Sequence, residues 1–210
     1  MTSPQSLQVP NGATDPLAPL RDAPPGKPFV VAQLGQSLDG RIATPTGHSR
    51  WINRDCALDH LHRLRAHVDA VVVGVNTVLA DDPSLTVRRV DGKNPARIVI
   101  DPDHRAPQSA KLFANDGTRT FVVTSEQAAR SSVAETIMVR AAPEGLCPAE
   151  IIAALGRLGF NRILIEGGAN TVSRFIDVGA LNRLHLLVAP VILGSGTTGI
   201  SLKAIDRLDE

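Results

Sequence analysis

The chain has 210 residues, 43% hydrophobic and 20% charged, with a formal net charge of +1 at neutral pH. That balance fits one soluble α/β domain with a real core, is short for two domains, and gives no electrostatic reason to bind nucleic acid or a membrane surface. Aromatic residues make up 3% of the chain and tyrosine is absent, so any base stacking would lean on the single Trp51.

Cys56 and Cys147 stand far apart, with no thiol or histidine at metal-ligand spacing beside either. They read as buried or incidental thiols of a reducing compartment. No apolar run approaches a membrane span and the first residues lack a charged-then-apolar leader, so a cytoplasmic location is expected. Residues 1–28 are rich in Pro, Gly, Ser, Gln and Asn without periodicity and are predicted to be a flexible N-terminal arm; 29–210 form the folded domain.

In chain order, Phe29 to Leu34 is the first predicted strand, Gly35 lets the chain leave the sheet close to a ligand, and Asp39-Gly40 signals a turn. Residues 47–52 read as a loop, after which Asn53 or Asp55 caps a helix running through His60, Leu61, Leu64 and Arg65. The spacing of His60, His62 and His67 does not stack them on one helical face, which argues against a metal site and for solvent-facing histidines. Ala70 to Gly74 is a buried strand, and Asn76 and Thr77 begin a short helix stopped at Asp81-Asp82-Pro83, because a residue before proline avoids the helical region. The two carboxylates are read as a cap and turn, with a metal or acid/base pair as the alternative. Arg88 and Arg89 offer a cationic grip suited to phosphate.

Further strands are predicted at 97–101, 120–125 and 136–140, and a helix at 148–158 with Pro148 in its first turn. Ile163-Leu164-Ile165-Glu166 is a strand running into Gly167-Gly168-Ala169-Asn170-Thr171, a glycine turn that opens a helix. Such a turn presents free N–H groups to an anion, with a cofactor phosphate the expected one, while Glu166 would face a donor-rich second ligand. An ordinary glycine-rich loop with a surface glutamate is the competing reading. A last long strand spans Arg183 to Gly194, bent at Pro190. The alternation predicts a three-layer α/β fold: a mostly parallel central sheet with helices on both faces, its ligands beyond the carboxyl ends of the strands, where Gly35, Gly74, Asp101, Ser125 and Glu166 fall. Neither the dinucleotide fingerprint nor the P-loop is present, and the zinc-deaminase signature is missing.

Several motifs converge: Ser37-Leu38-Asp39-Gly40-Arg41-Ile42-Ala43, Ser49-x-Trp51-Ile52, Leu64-Arg65, Gly74-x-Asn76-Thr77-Val78-x-x-Asp81-Asp82-Pro83-x-Leu85-Thr86-Val87-Arg88 and Ile165-Glu166-Gly167-Gly168. In this order the chain resembles the pyrimidine reductases of riboflavin biosynthesis across residues 29–194. The resemblance implies a dihydrofolate-reductase-like fold, a homodimer, and NADPH-dependent reduction of a ribosylaminopyrimidine 5′-phosphate to its ribitylamino counterpart. It assigns Glu166 and Asp39 to catalysis; Ser49, Arg65, Leu85, Arg88 and Glu166 to the substrate; and Gly35, Trp51, Gly74, Thr77, Asp81, Gly167, Gly168, Ala169, Asn170 and Thr171, with the helix on to Arg174, to the cofactor. No metal is implied. Thr124 and Ser125, with an arginine nearby, are the positional candidates for a 2′-phosphate contact.

Three departures from the family stand out. Gln33 occupies the place of a usual lysine, the deaminase half is absent, and the chain is short after Gly194, so that either a smaller sheet or the 1–28 arm replaces the usual terminal strand pair. A pterin-type reductase and a non-catalytic NADPH-binding protein of the same fold are the alternative functions.

Overall fold

Runs of Val, Ile and Leu between turn residues build one parallel sheet, because a strand covered on both faces cannot alternate with polar side chains. The computed structural model describes residues 15–49, 52, 55–125, 133–142 and 144–207. Seven strands, β1 (Phe29–Ser37), β3 (Ala70–Gly74), β4 (Ala96–Ile100), β5 (Thr120–Ser125), β6 (Glu135–Val139), β9 (Arg162–Glu166) and β10 (Arg183–Ala189), lie in the order β10-β1-β9-β3-β4-β5-β6. Every pairing between them is parallel. Short pieces complete the fold: β2 (Arg41–Ala43) with β11 (Thr197–Thr198), and β7 (Ala141–Ala142) with β8 (Gly145–Leu146).

Helices cover both faces, as the pattern predicts. On one face α4 (Pro148–Arg157) and α5 (Ala169–Asp177) bring Ile151, Leu155, Val172 and Phe175 against Val30, Ala32, Val72, Ile98 and Ile165. On the other, α1 (Ala18–Arg21), α2 (Asp55–Ala66), α3 (Val75–Asp81) and a 3₁₀ turn at Lys111–Phe113 bring Leu20, Leu64, Val78 and Leu112 against Val31, Val71, Val99 and Leu164. Each such side chain contributes roughly 1.5–3 kcal/mol when fully buried. Arg97, fully buried in β4, directs its guanidinium to the carbonyls of Leu112 and Ala114 and to the carboxylate of Asp116.

Three expectations need correction. Residues 15–28 are not a loose arm: Leu17 and Leu20 are buried, Asp15 Oδ1 accepts from Leu17 N, and Arg162 donates to the carbonyls of Leu20 and Arg21. Two well-placed leucines are enough to dock the segment, and an averaged composition hides them; residues 1–14 lie outside the described residues. The last strand ends at Ala189, because Pro190 has no N–H to give the ladder. The chain beyond it does pair: β11 lies antiparallel on β2, and Gly199 N donates to Gly40 O. Cys56 is exposed and Cys147 half-buried, both free, which fits the incidental rather than the buried alternative given for them. Of the two proposed caps, Asn53 is outside the described residues and Asp55 is the first residue of α2.

Candidate active site

β3 and β9 are neighbours in the sheet, yet the helices that follow them pack on opposite faces. The chain therefore opens a crevice at the carboxyl ends of these two strands, the place where parallel sheets bind ligands. Its walls are two turns, 74–77 and 167–171, held by two threonines. Thr77 Oγ1 accepts from Gly168 N at 3.0 Å. Gly167 has φ +114, and a Cβ there would stand 2.9 Å from Thr77 Oγ1. Reciprocally, a Cβ on Gly74 would collide with Thr171 Oγ1. Each threonine occupies the space that a side chain on the opposite turn would need, so the glycines are dictated by this interlock as well as by any ligand. Gly168 is the N-cap of α5 and no side chain caps it, so the first N–H groups of the helix face the crevice without an intrahelical partner.

A cleft of about 750 Å³ opens over these turns, within the roughly 300–1,000 Å³ usual for small-molecule sites. Gly35, Thr77, Asp81, Gly167, Gly168, Ala169 and Asn170 line it, as assigned from sequence, and so does Ser49. Gly74 and Thr171 line a smaller adjoining cavity of about 180 Å³. Trp51 lies outside the described residues. Sequence reasoning missed Thr197 and Ser201, which the returning tail brings to the cleft. The signal was the glycine spacing 194, 196, 199: Gly196 passes so close to Ala43 O that no side chain fits between them.

On the face of α2, the ends of the central strands carry polar side chains. Gln33 stands in register between Glu166 and His185, and all three are buried. Arg65 reaches Glu166 from α2: Nε donates to Oε2 at 2.8 Å, Nη2 pairs with Oε1, and Nη1 donates to Thr86 O at 2.9 Å. The side chains are 6% and 11% exposed. The donor-rich partner expected for Glu166 is thus Arg65 itself, and Arg65 is not a free phosphate grip. Arg88 is the exposed guanidinium that remains beside them, 3.4 Å from Thr86 Oγ1. Leu85 sends its side chain into the core with a left-handed backbone, φ 55, so it can meet a ligand only through its main chain.

The catalytic assignment of Asp39 is also corrected. Its carboxylate accepts from Ser37 Oγ at 2.7 Å, Leu193 N at 3.1 Å and Gly194 N at 2.7 Å, and it does not line the cleft. The Ser37 hydrogen bond, followed by the backbone of Leu193, lowers its pKa to about 2. A carboxylate so satisfied has no proton to exchange near neutrality; it clasps the tail onto the β1–β2 turn. Asp81 and Asp82 separate in the same way. Asp81 faces the cleft, whereas Asp82 ends α3 at φ 42 and accepts from Lys111 N at 2.8 Å.

The histidines are not solvent-facing. His62 is buried, with Nδ1 accepting from Arg88 N at 3.1 Å, and burial, then Arg65 and Arg88, pushes its pKa down to about 4. His60 Nε2 lies 3.0 Å from Nδ1 of buried His185, whose pKa burial lowers to about 4. His67 is half-buried, its Nδ1 2.8 Å from Arg63 O. A strand end supplies the partner of His60 and the backbone of Arg88 that of His62, neither of which helical spacing alone reveals.

Comparison with known proteins gives one consistent answer. The sequence model of the RibD C-terminal domain matches residues 28–209. The chain is 37% identical over 175 residues to the 2,5-diamino-6-ribosylamino-4(3H)-pyrimidinone 5′-phosphate reductase of Methanothermobacter thermautotrophicus, covering 80% of each. It is 36% identical over 172 residues to the riboflavin biosynthesis protein RibD of Aquifex aeolicus, covering 81% of this chain and 48% of that protein, so the chain spans about half the length of the RibD relatives it matches. Among solved structures, RibD of Acinetobacter baumannii superposes with TM-score 0.75 at 26% identity, covering 88% of this chain and 52% of that one.

Proposed function

The chain belongs to the RibD C-terminal domain family, and from that premise we propose that it reduces a ribosylaminopyrimidine 5′-phosphate to the ribitylamino product with NADPH as donor. The supporting observation is the interlocked pair of turns at the carboxyl ends of β3 and β9, which opens one cleft of dinucleotide size; Glu166, held by Arg65, directly precedes its Gly167 wall, although Arg65, Leu85, Arg88 and Glu166 do not themselves line it.

The residues present fit a nicotinamide dinucleotide. The uncapped first turn of α5, with Gly167, Gly168, Ala169, Asn170 and Thr171, offers N–H donors to the pyrophosphate. Gly35, Thr77, Asp81 and Gly74 shape the walls. When bound, a reduced nicotinamide would supply the hydride for converting the ribosyl ring to a ribityl chain, the accompanying proton coming from solvent. Arg88, exposed and without a carboxylate partner among the described residues, grips the substrate phosphate. Glu166, held by two bonds from Arg65, keeps lone pairs for a hydroxyl or ring N–H of the substrate, and Arg65 fixes its direction. Ser49 contributes a hydroxyl at the mouth and Leu85 its backbone. Orientation is the main service such a site performs for hydride transfer.

The enzyme acts as a homodimer in this reading. β10 is an edge of the sheet, and Leu186 and Val188 on it, with Val191 and Ile192 just after, expose apolar side chains suited to a second copy. No helix among the described residues is long and apolar enough to cross a membrane, and a cytoplasmic location accords with the small phosphorylated substrate.

Loss of reduced-nicotinamide absorbance, followed with purified protein, NADPH and the ribosylaminopyrimidine phosphate in its amino and deaminated ring forms, tests the activity. Turnover of at least one ring form, abolished by Glu166→Gln, is expected; oxidation no faster than in buffer for both would remove the proposal.

A further inference from the structure

The residues that follow the sheet return to the main cleft and are fastened on both sides of it. On the side of the β1–β2 turn, the Asp39 carboxylate accepts from Leu193 N at 3.1 Å and Gly194 N at 2.7 Å, and Gly40 O accepts from Gly199 N at 2.9 Å. Arg41 adds Nε to Gly194 O at 3.2 Å and Nη1 to Thr198 Oγ1 at 2.7 Å. On the side of α5, Ser173 Oγ accepts from Ser201 N at 2.9 Å and Asp177 Oδ1 from Lys203 N at 3.2 Å. Ile42 and Ala43 line the cleft from the first side, Ser173 and Asp177 from the second. Residues 194–203 therefore bridge its two walls.

Every anchor except that on Thr198 uses the main chain of the tail, which leaves its side chains to other work. Thr197 and Ser201 line the cleft between the anchors; both are exposed, and no hydrogen bond occupies either hydroxyl among the described residues. The tail lies directly on β1 and β2: a Cβ on Gly196 would collide with Ala43 O, and one on Gly199 would stand 2.8 Å from Gln36 Oε1. Apolar burial contributes little to this seat, since Gly199 is the one buried residue between 194 and 203. A segment held by surface hydrogen bonds opens far more readily than the sheet beneath it. Among its anchors the Asp39 carboxylate is the strongest kind, an ionised acceptor for two successive N–H groups.

We propose that residues 194–203 form a strap that parts to admit the cofactor and closes over it, with the hydroxyls of Thr197 and Ser201 as its contacts to the bound dinucleotide and Asp39 as the positioning residue that latches it. The proposal rests on the dinucleotide reading of the cleft. A dinucleotide presents ribose hydroxyls and phosphate oxygens along its length, and a protein hydroxyl, with one donor and two acceptor positions, can meet either. Asp39 does not line the cleft, so it acts only through the tail.

Stopped-flow binding and release of NADPH by the whole purified chain, followed by reduced-nicotinamide fluorescence with no pyrimidine present, tests this without turnover. Asp39→Asn turns an NH2 group toward one of the two backbone N–H groups and should speed release about tenfold, the scale of one charge-assisted hydrogen bond. Association should be no slower than in the wild type, whereas a merely damaged site would bind more slowly. The double variant Thr197→Val, Ser201→Ala should release NADPH severalfold faster with an unchanged thermal midpoint, because both residues are exposed. Ser195→Ala, on the same tail but outside the cleft, should release at the wild-type rate. Wild-type release in both Asp39→Asn and the double variant, or slowed association in Asp39→Asn, overturns the strap and leaves the dinucleotide cleft standing. Should Asp39→Asn fail to fold, the double variant decides alone. A wild-type chain that binds no NADPH removes the cleft reading and this proposal together.

Discussion

Arginine is used in two opposite ways at the carboxyl edge of this sheet. Under α2, Arg65 is buried and matched to Glu166 and Thr86 O. Beside α3 and α5, Arg105 and Arg174 line an open cavity and touch only neutral oxygens. The first arrangement leaves little charge for a ligand and makes each partner indispensable to the other. The second leaves donors unsatisfied, which water tolerates and an anion exploits. A cationic motif in a sequence therefore says little about binding until its acceptors are known.

The largest effect expected from breaking this contrast is on the buried pair. Arg65→Ala strands the Glu166 carboxylate and should cost about 3–5 kcal/mol in denaturant unfolding. Joint replacement, Arg65→Met with Glu166→Leu, should recover most of that loss while abolishing turnover. A single variant within about 0.5 kcal/mol of the parent, the range of ordinary surface substitutions, would mean that the pair is solvated.

The next effect is at the interlock. Gly167→Ala places a Cβ against Thr77 at a backbone angle that L side chains rarely adopt, and should cost about 1–3 kcal/mol. Gly26→Ala also sits at positive φ, +84, but meets open space, and should cost only about 1 kcal/mol. In a double-mutant cycle, Thr77→Ala should relieve part of the Gly167→Ala loss; strict additivity would show that the threonine is not the obstacle.

A further effect, absent at neutral pH, is on pH dependence. His62 and His185 have folded pKa values of about 4 against 6.5 in the free side chain. Below pH 6.5 the unfolded chain binds protons that the folded one refuses, so stability falls as pH drops toward 4. Asp39 and Asp116, held at about 2 against 3.8, contribute stability that is present above pH 3.8 and lost as pH falls through 2. Urea midpoints measured across this range should show both limbs, and His62→Gln should flatten the upper one. An upper limb unchanged in that variant would place the titration elsewhere.

Much of the framework was legible from local pattern. β3 and β5 fall at their predicted bounds, the stop at Asp81-Asp82-Pro83 ends α3, and the glycine turn at 167–168 opens α5. Apolar period, glycine and proline act within a few residues, and these features need nothing more. Partnerships were not legible. Arg65 and Glu166 are 101 positions apart, and Asp39 and Leu193 are 154 apart. The same residue types in the same motifs serve equally well as ligand contacts or as internal clasps. Leu17 and Leu20 were lost in a proline-rich average, and the buried histidines were judged by helical spacing without sight of the strand ends below them.

By itself the sequence determined a parallel sheet covered on both faces, the turns at its carboxyl edge and the family to which they point, because backbone conformation and burial are set by neighbouring residues. Only the tertiary structure decided which charges are cancelled and which remain available. Cancellation depends on a counter-charge brought within about 3 Å by the fold, and no local motif specifies what arrives from a hundred residues away.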